Sequence, residues 1–207
     1  MADCSRIGTA LVMCAPSGTG KTTLVKRLLE KFNGLSFSVS CTTRAPRQGE
    51  VDGRDYFFLD RAAFMSRIED EFYFAEWAEV HGNYYGTPLK ETREILASGR
   101  DLLFDVDVQG AKQLKQSLPE ACFVFVLPPS RTELERRLRD RKTDSEADII
   151  LRLLNSSHEI QEADWFDFWV VNDDMEEAIS DLCAVYQAAR LVPKRRRDFL
   201  QQLLDEF

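Results

Sequence analysis

The sequence predicts an α/β fold with a parallel core sheet, and three observations lead there. Short apolar runs alternate with helix-compatible segments along most of the chain. The first run leads into a glycine-rich loop and then an amphipathic stretch. One block, about 40–98, breaks the alternation and reads as a small mixed insertion with short strands. At 207 residues the chain suits one domain with small insertions, and 44% hydrophobic against 30% charged residues is enough apolar material for a real core.

Each element has its own signal. Ala10-Leu11-Val12-Met13-Cys14 is the first strand; it is too short for a membrane span and follows no basic leader. A helix is expected over 21–32, where Leu24, Val25, Leu28, Leu29 and Phe32 share one face. Residues 36–40 read as a further strand. In the insertion, Pro46, Gly49, Gly53, Gly82 and Gly86 supply turns, and aromatics cluster at Tyr56, Phe57 and Phe58 and at Tyr84 and Tyr85. The runs 102–106 and Cys122–Leu127 are apolar enough for strands buried on both faces, and each precedes a helix-prone segment. A second insertion, about 137–161, is charged and helix-prone. Phe168–Val171 is the last core strand, ahead of a helix over about 174–188. Residues 194–197 open a polar helix whose basic side chains read as a solvated face.

Composition excludes some functions. A formal net charge of −8 repels a nucleic-acid backbone, so any phosphate site has to be a local cluster of positive charge. The five cysteines are odd in number and none has metal-ligand spacing; Cys14 and Cys122 lie in apolar runs and read as buried thiols. That pattern suits a reducing, cytoplasmic setting. With two histidines, His81 and His158, a zinc site is not expected.

Ala15-Pro16-Ser17-Gly18-Thr19-Gly20-Lys21-Thr22 carries the most chemistry. It lies between an expected strand and an expected helix, the context of a phosphate-binding loop (P-loop). Gly18 and Gly20 let the backbone wrap an anion, and N–H groups at the helix start converge on its oxygens. Lys21 supplies a point charge for the β- and γ-phosphates, and Thr22 a hydroxyl for Mg²⁺. Ala15 stands where the general pattern has glycine. Asp105 and Asp107 end the second core run, where a carboxylate can hold the water shell of Mg²⁺. Asp105 interrupts an otherwise apolar run at a cost in desolvation.

A second phosphate site is suggested by a different segment. Arg44 and Arg47, braced by Pro46, are placed to meet one phosphate with bidentate forks, and Tyr56 and Tyr85 can add phenolic donors. Taken singly, each is an ordinary surface arginine or half-buried tyrosine.

Ala15 to Thr22, Ser40 to Arg47, Gly49-Glu50-Val51, Asp55-Tyr56-Phe57-Phe58, Gly82-Asn83-Tyr84-Tyr85-Gly86 and Val171-Asn172-Asp173-Asp174 occur together and in order. Over about 9–191 this strongly resembles guanylate kinase. The resemblance implies a P-loop NTPase three-layer fold with a parallel core sheet (1–39, 99–136 and 162–207), an inserted GMP-binding subdomain (40–98) and a helical lid (137–161). It implies ATP-dependent phosphorylation of GMP to GDP, with ATP and GMP as substrates, Mg²⁺ as cofactor and no nucleic-acid or membrane partner. The residues decide neither dGMP use nor the choice between monomer and homo-oligomer.

It also implies residue roles. Ala15, Pro16, Ser17, Gly18, Thr19, Gly20, Lys21, Thr22 and Thr23 would bind ATP, with Asn172 near its adenine. Ser40, Arg44, Arg47, Tyr56, Glu76, Tyr85, Thr87 and Asp105 would bind GMP, and Thr22, Asp105 and Asp107 the metal. Glu76 would accept the N1–H and N2–H₂ donors of guanine and repel adenine, whose N1 is a bare acceptor. Thr87, where relatives more often have serine, would donate to O6. Arg137, Arg141 and Arg152 would act with Lys21 in catalysis, closing over the phosphates. They belong to a basic cluster with Arg131, Arg136 and Arg139, but acidic neighbours interleave, so some of these arginines form helix-face ion pairs.

Three departures stand out. Asp140 and Lys142 replace usual glycines, which points to a stiffer hinge and to Asp140 offsetting Arg141. Cys41 stands where relatives commonly have a polar residue. Two rivals stay open at this stage. A non-catalytic module of this family would usually lack the intact loop that Gly18, Gly20, Lys21 and Thr22 form here. A kinase of the same fold with another acceptor, such as a ribose bisphosphate, would not need Glu76 and Thr87.

Overall fold

The computed structural model describes residues 6–70, 72–80, 82–140 and 145–207. β1 (Ala10–Cys14) is wholly buried. Its alternate residues serve two cores: Ala10, Val12 and Cys14 pack on one side, Leu11 and Met13 on the other. A strand covered on both faces needs an unbroken apolar run, which is what the sequence supplies. α1 (Lys21–Lys31) follows the glycine loop and buries Leu24, Val25 and Leu28. β2 (Leu35–Phe37) is shorter than the expected 36–40. Ser38 still donates to the Leu103 carbonyl, but the chain then leaves the core sheet for β3 (Cys41–Thr42) in a second one.

That second sheet is the insertion. β4 (Phe57–Phe58), β5 (Phe74–Val80) and β6 (Asn83–Pro88) join β3 in the order β4-β3-β6-β5. α2 (Arg61–Ile68), capped by the Asp60 side chain on the Ala63 N–H, drops Phe64 between Phe74 and Tyr84, with ring centroids 4.6 and 5.5 Å away. Cys41 belongs to this small aromatic core, where its thiol packs as an apolar group. α3 (Leu89–Ala97) carries the chain back, burying Leu89 and Leu96 against the core sheet.

The rest alternates as expected. β7 (Asp101–Asp105) leads to α4 (Val108–Ser117), and β8 (Cys122–Leu127) to α5 (Arg131–Asp140). α6 (Glu146–Gln161) starts with a Ser145/Asp148 capping box. β9 (Phe168–Val171) precedes α7 (Met175–Ala189), and α8 (Arg197–Asp205) follows. Among the described residues the core sheet has five parallel strands in the order β2-β7-β1-β8-β9. α3 and α4 line one face and α1 and α7 the other, so the expected three layers are present. α5 runs continuously through residue 137, so the charged insertion is rooted in a helix that starts on the core side.

One expectation is corrected. Arg195 is not on a solvated face: it is 6% exposed. Its guanidinium donates to the carbonyls of Ala189, Gly8 and Glu120 at 3.0, 2.7 and 2.7 Å, closing the chain end onto its start. A basic run shows charge but not which member turns inward; carbonyls left over at a helix end recruit one.

Candidate functional site

The loop between β1 and α1 has the geometry of an anion nest. Gly18 and Gly20 adopt φ of 91° and 94°, a region that side chains rarely enter. A side chain would also force its neighbours to shift. A Cβ on Gly18 would lie 2.8 Å from the Leu138 side chain of α5, and one on Gly20 would lie 2.6 Å from Asn172 Nδ2. Ala15, Pro16 and Thr19 are buried, and Thr19 ties the loop on itself by donating to the Pro16 carbonyl at 2.8 Å. Ala15 packs in the core beside β1, so an alanine is tolerated in the first loop position. Thr22 and Thr23 are exposed at the open end of α1.

Parallel strands bring the next groups alongside. Met13 is in register with Asp105, which puts the Asp105 carboxylate beside the loop. Lys21 Nζ is 2.5 Å from Asp105 Oδ1 and donates to the Val106 carbonyl at 2.8 Å. Asp107 is the N-cap of α4, accepting from the Gly110 N–H at 2.8 Å. This second carboxylate therefore has a structural duty that its spacing did not reveal.

Two lid arginines reach the loop. Arg152 Nη1 donates to Ser17 Oγ at 3.2 Å. Arg137 donates to the Asn172 carbonyl at 2.9 Å and is held by Glu133 at 2.8 Å. Arg141 lies outside the described residues, as does Lys142. Asp140, expected to offset Arg141, pairs with Arg136 at 2.5 Å. Arg136 and Arg139 form the expected helix-face ion pairs with Glu133 and Glu135, and Arg139 also reaches Glu146 at the start of α6. Asn172 is 1% exposed, and its amide donates to the Thr19 carbonyl at 2.7 Å. Its side chain thus braces the loop from behind.

The insertion gathers the remaining candidates in two groups. Arg44 pairs with Glu50 at 2.9 Å and lies over the Tyr56 ring at 5.4 Å. Tyr85 is within hydrogen-bonding reach of the same guanidinium, and the Tyr56 and Tyr85 rings are 6.1 Å apart. Glu50 also accepts from the Arg47 backbone N–H at 2.7 Å, so one carboxylate organises the whole arginine turn. Bonds from Arg44 and from the Arg47 backbone lower the Glu50 carboxyl below its usual range. Sequence reasoning quoted Gly49-Glu50-Val51 but gave Glu50 no role. An acid three residues after Arg47 and six after Arg44 was the available signal.

The second group is buried. Glu76 is 8% exposed and Thr87 1%. Paired across β5 and β6, they share a hydrogen bond in which Thr87 Oγ1 donates to Glu76 Oε1 at 2.6 Å. Ser40 Oγ is 3.4 Å from Thr87 Oγ1. Burial pushes the Glu76 carboxyl up to about 7, and the Thr87 bond only partly offsets it. A carboxylate held in this way lacks strong donors, and a guanine edge offers two. The Asp107 charge acts on both Glu76 and on Glu159 of α6, and Glu159 also feels Lys21. Glu159, whose carboxyl burial raises, was not singled out from the sequence, where it is one of many acids on a polar helix.

Comparison with known proteins agrees with this geometry. A family model described as guanylate kinase matches residues 7–189. A curated guanylate kinase from Oleidesulfovibrio alaskensis is 58% identical over 98% of this chain and 98% of its own. One from Lawsonia intracellularis is 52% identical, covering 96% and 93% respectively. The crystal structure of guanylate kinase from Anaplasma phagocytophilum superposes with a TM-score of 0.72 at 32% identity, over 97% of this chain and 95% of that one.

Proposed function

From the premise that this chain belongs to the guanylate kinase family and moves a phosphoryl group from ATP to GMP, we propose which of its residues do so and how. Lys21 and the loop N–H groups of Gly18 to Thr22 hold the ATP phosphates. Arg44, Arg47, Tyr56 and Tyr85 hold the phosphate of GMP, and Glu76, Thr87 and Ser40 hold its base. The observation that carries the reading is the buried Glu76–Thr87 pair at 2.6 Å, a polar site that only a matching base edge completes. In accepting guanine, Thr87 keeps its hydroxyl near O6 while Glu76 takes both donors.

The chemistry needs little from acid–base groups, because the acceptor phosphate is already anionic near neutral pH. Positioning and fixed charge supply the rate. Arg137 and Arg152, which already reach the loop, stabilise the group in transfer. Arg141 shares that task by its place in the motif. Asn172 supports the loop backbone rather than offering its amide outward.

Among the described residues no three or more His, Cys, Asp or Glu form a group that could hold a metal. The donors present, the Thr22 hydroxyl and the Asp105 carboxylate, are hard oxygens. They fit a Mg²⁺ that keeps most of its ligands from phosphate and water. When bound, the ion neutralises charge on the β- and γ-phosphates. Asp107 contributes at most through water, given its cap. The core, the 40–98 insertion as GMP subdomain and 137–161 as lid are the working division of the chain. A cytoplasmic setting suits the described cysteines, which are free thiols. No described helix is long and apolar enough to cross a membrane.

The test is a phosphate-acceptor screen with ADP release as the readout. GMP should be preferred to AMP and to a ribose bisphosphate, and an equal response to all three would refute the base assignment. Lys21→Ala should lower turnover about 10²–10³-fold while calorimetry still detects GMP binding. Near-normal turnover would refute the role of Lys21.

A further inference from the structure

We infer that Gln113 and Ser117 of α4 are positioning residues for the guanine carboxylate, clamping β5 on both sides of Glu76. The inference rests on the reading of Glu76 given above.

β5 is an edge strand: β6 pairs one side, and the other is open to α4. On such an edge every second residue points its N–H and C=O away from the sheet. Here those groups belong to residues 75 and 77, the neighbours of Glu76. Trp77 N–H donates to Gln113 Oε1 at 3.0 Å, and Gln113 Nε2 donates to the Trp77 carbonyl at 2.9 Å. A primary amide carries the donor and acceptor of a peptide unit, so Gln113 serves β5 as one residue of an extra strand. One helical turn on, Ser117 Oγ donates to the Ala75 carbonyl at 2.7 Å. Spacing of four puts both side chains on one face of α4. Residues 75 and 77 are thus fixed from outside the sheet, and Glu76 between them turns its carboxylate to the Thr87 hydroxyl.

Ala75 packs with Val108, Ala111 and Leu114 of α4 in the core, but the packing thins beyond it toward Trp77. A cleft of about 630 Å³ runs along the same contact, bordered by Phe72, Phe74, Arg93 and Gln116 as well as by Trp77 and Gln113. Without the amide, the Trp77 end of β5 borders open space rather than a packed neighbour. The helix that holds it is capped by Asp107, just past Asp105 and Val106, which hold Lys21. α4 is therefore one rigid piece between the base carboxylate and the phosphate lysine.

The test compares Gln113→Ala, Ser117→Ala, Glu76→Gln and the double variant Glu76→Gln/Gln113→Ala in steady-state kinetics with GMP and AMP. Gln113→Ala should raise the GMP KM about tenfold and lower the GMP-over-AMP preference by a similar factor. kcat at saturating GMP and the ATP KM should stay within about twofold, a split that general loosening of the fold would not give. In the Glu76→Gln background the same change should alter the preference less than about twofold, because no carboxylate is left to position. Should Gln113→Ala fold poorly, Ser117→Ala, which removes a single bond to β5, should show the same signature at smaller size. If Glu76→Gln lowers the preference and neither α4 variant does, the clamp is wrong and the base reading stands. If Glu76→Gln leaves the preference intact, both go.

Discussion

Replacing Glu76 by glutamine should make the protein more stable at alkaline pH while spoiling its selectivity. Burial moves the Glu76 carboxyl from 4.5 to about 7 in the folded chain. Below pH 4.5 both folded and unfolded chains carry the proton, and the group costs nothing. Between 4.5 and 7 the unfolded chain ionises and the folded one does not, so stability falls as pH rises; above 7 the full difference is lost. A step of that size corresponds to on the order of 3 kcal/mol. Glutamine has no charge to desolvate and still accepts from Thr87. Urea unfolding of both proteins without nucleotide, at pH 5 and pH 8, isolates the effect: the stability difference between them should change by about 2–3 kcal/mol in favour of the variant. Comparing the change with pH removes any difference in packing between the two side chains, and the other titrating groups cancel. A difference that moves by less than about 0.5 kcal/mol would show that Glu76 is not held in a strongly desolvating site. The reasoning about guanine recognition would lose its physical basis with it.

Three further outcomes follow from the same geometry. GMP binding at pH 6.5 should release more protons from the wild type than from Glu76→Gln, since guanine donors favour the ionised carboxylate; calorimetry in two buffers of different ionisation enthalpy measures this, and equal proton counts would refute it. Gly20→Ala sets a side chain at φ 94° and 2.6 Å from Asn172 Nδ2; it should lower stability by about 1–3 kcal/mol and raise the ATP KM, leaving the GMP KM near normal. Arg195→Ala strips three carbonyls of their donor and should cost on the order of 3 kcal/mol in chemical unfolding, whereas a solvated arginine would cost about 0.5 or less.

Local sequence carried the phosphate loop because that motif is local: two glycines, a lysine and a threonine between a strand and a helix suffice. The core strands were equally plain, since burial on both faces leaves only apolar residues in β1 and β8. What remained hidden depends on contacts between distant segments. Glu50 matters because the chain folds it back on Arg44 and Arg47. Asn172 matters because it meets Thr19 across the end of the sheet. Gln113 is an ordinary polar residue on a helix until an edge strand with exposed amides lies beside it. The end of β2 is hidden for a related reason. Residues 38–40 suit a strand, and only sheet pairing shows that the chain changes sheets there.

An acidic chain that handles two polyanions must confine its positive charge, and this one does so by pairing. Lys21 sits against Asp105, Arg44 against Glu50 and Arg137 against Glu133. The pairing weakens each cation's long-range attraction for phosphate, but it selects one rotamer from the many open to a long side chain. A phosphate arriving at such a cation meets a donor already aimed, so less ordering remains to be done on binding. Arg137 carries this furthest, because the carbonyl of Asn172 and the carboxylate of Glu133 fix its guanidinium against the loop. Leu138, next in sequence, packs against Gly18 in the space that a side chain there would fill. The same turn of α5 thus shapes the loop and presents a charge to it. A change in the packing of that turn is felt at the phosphates without any substitution in the loop itself.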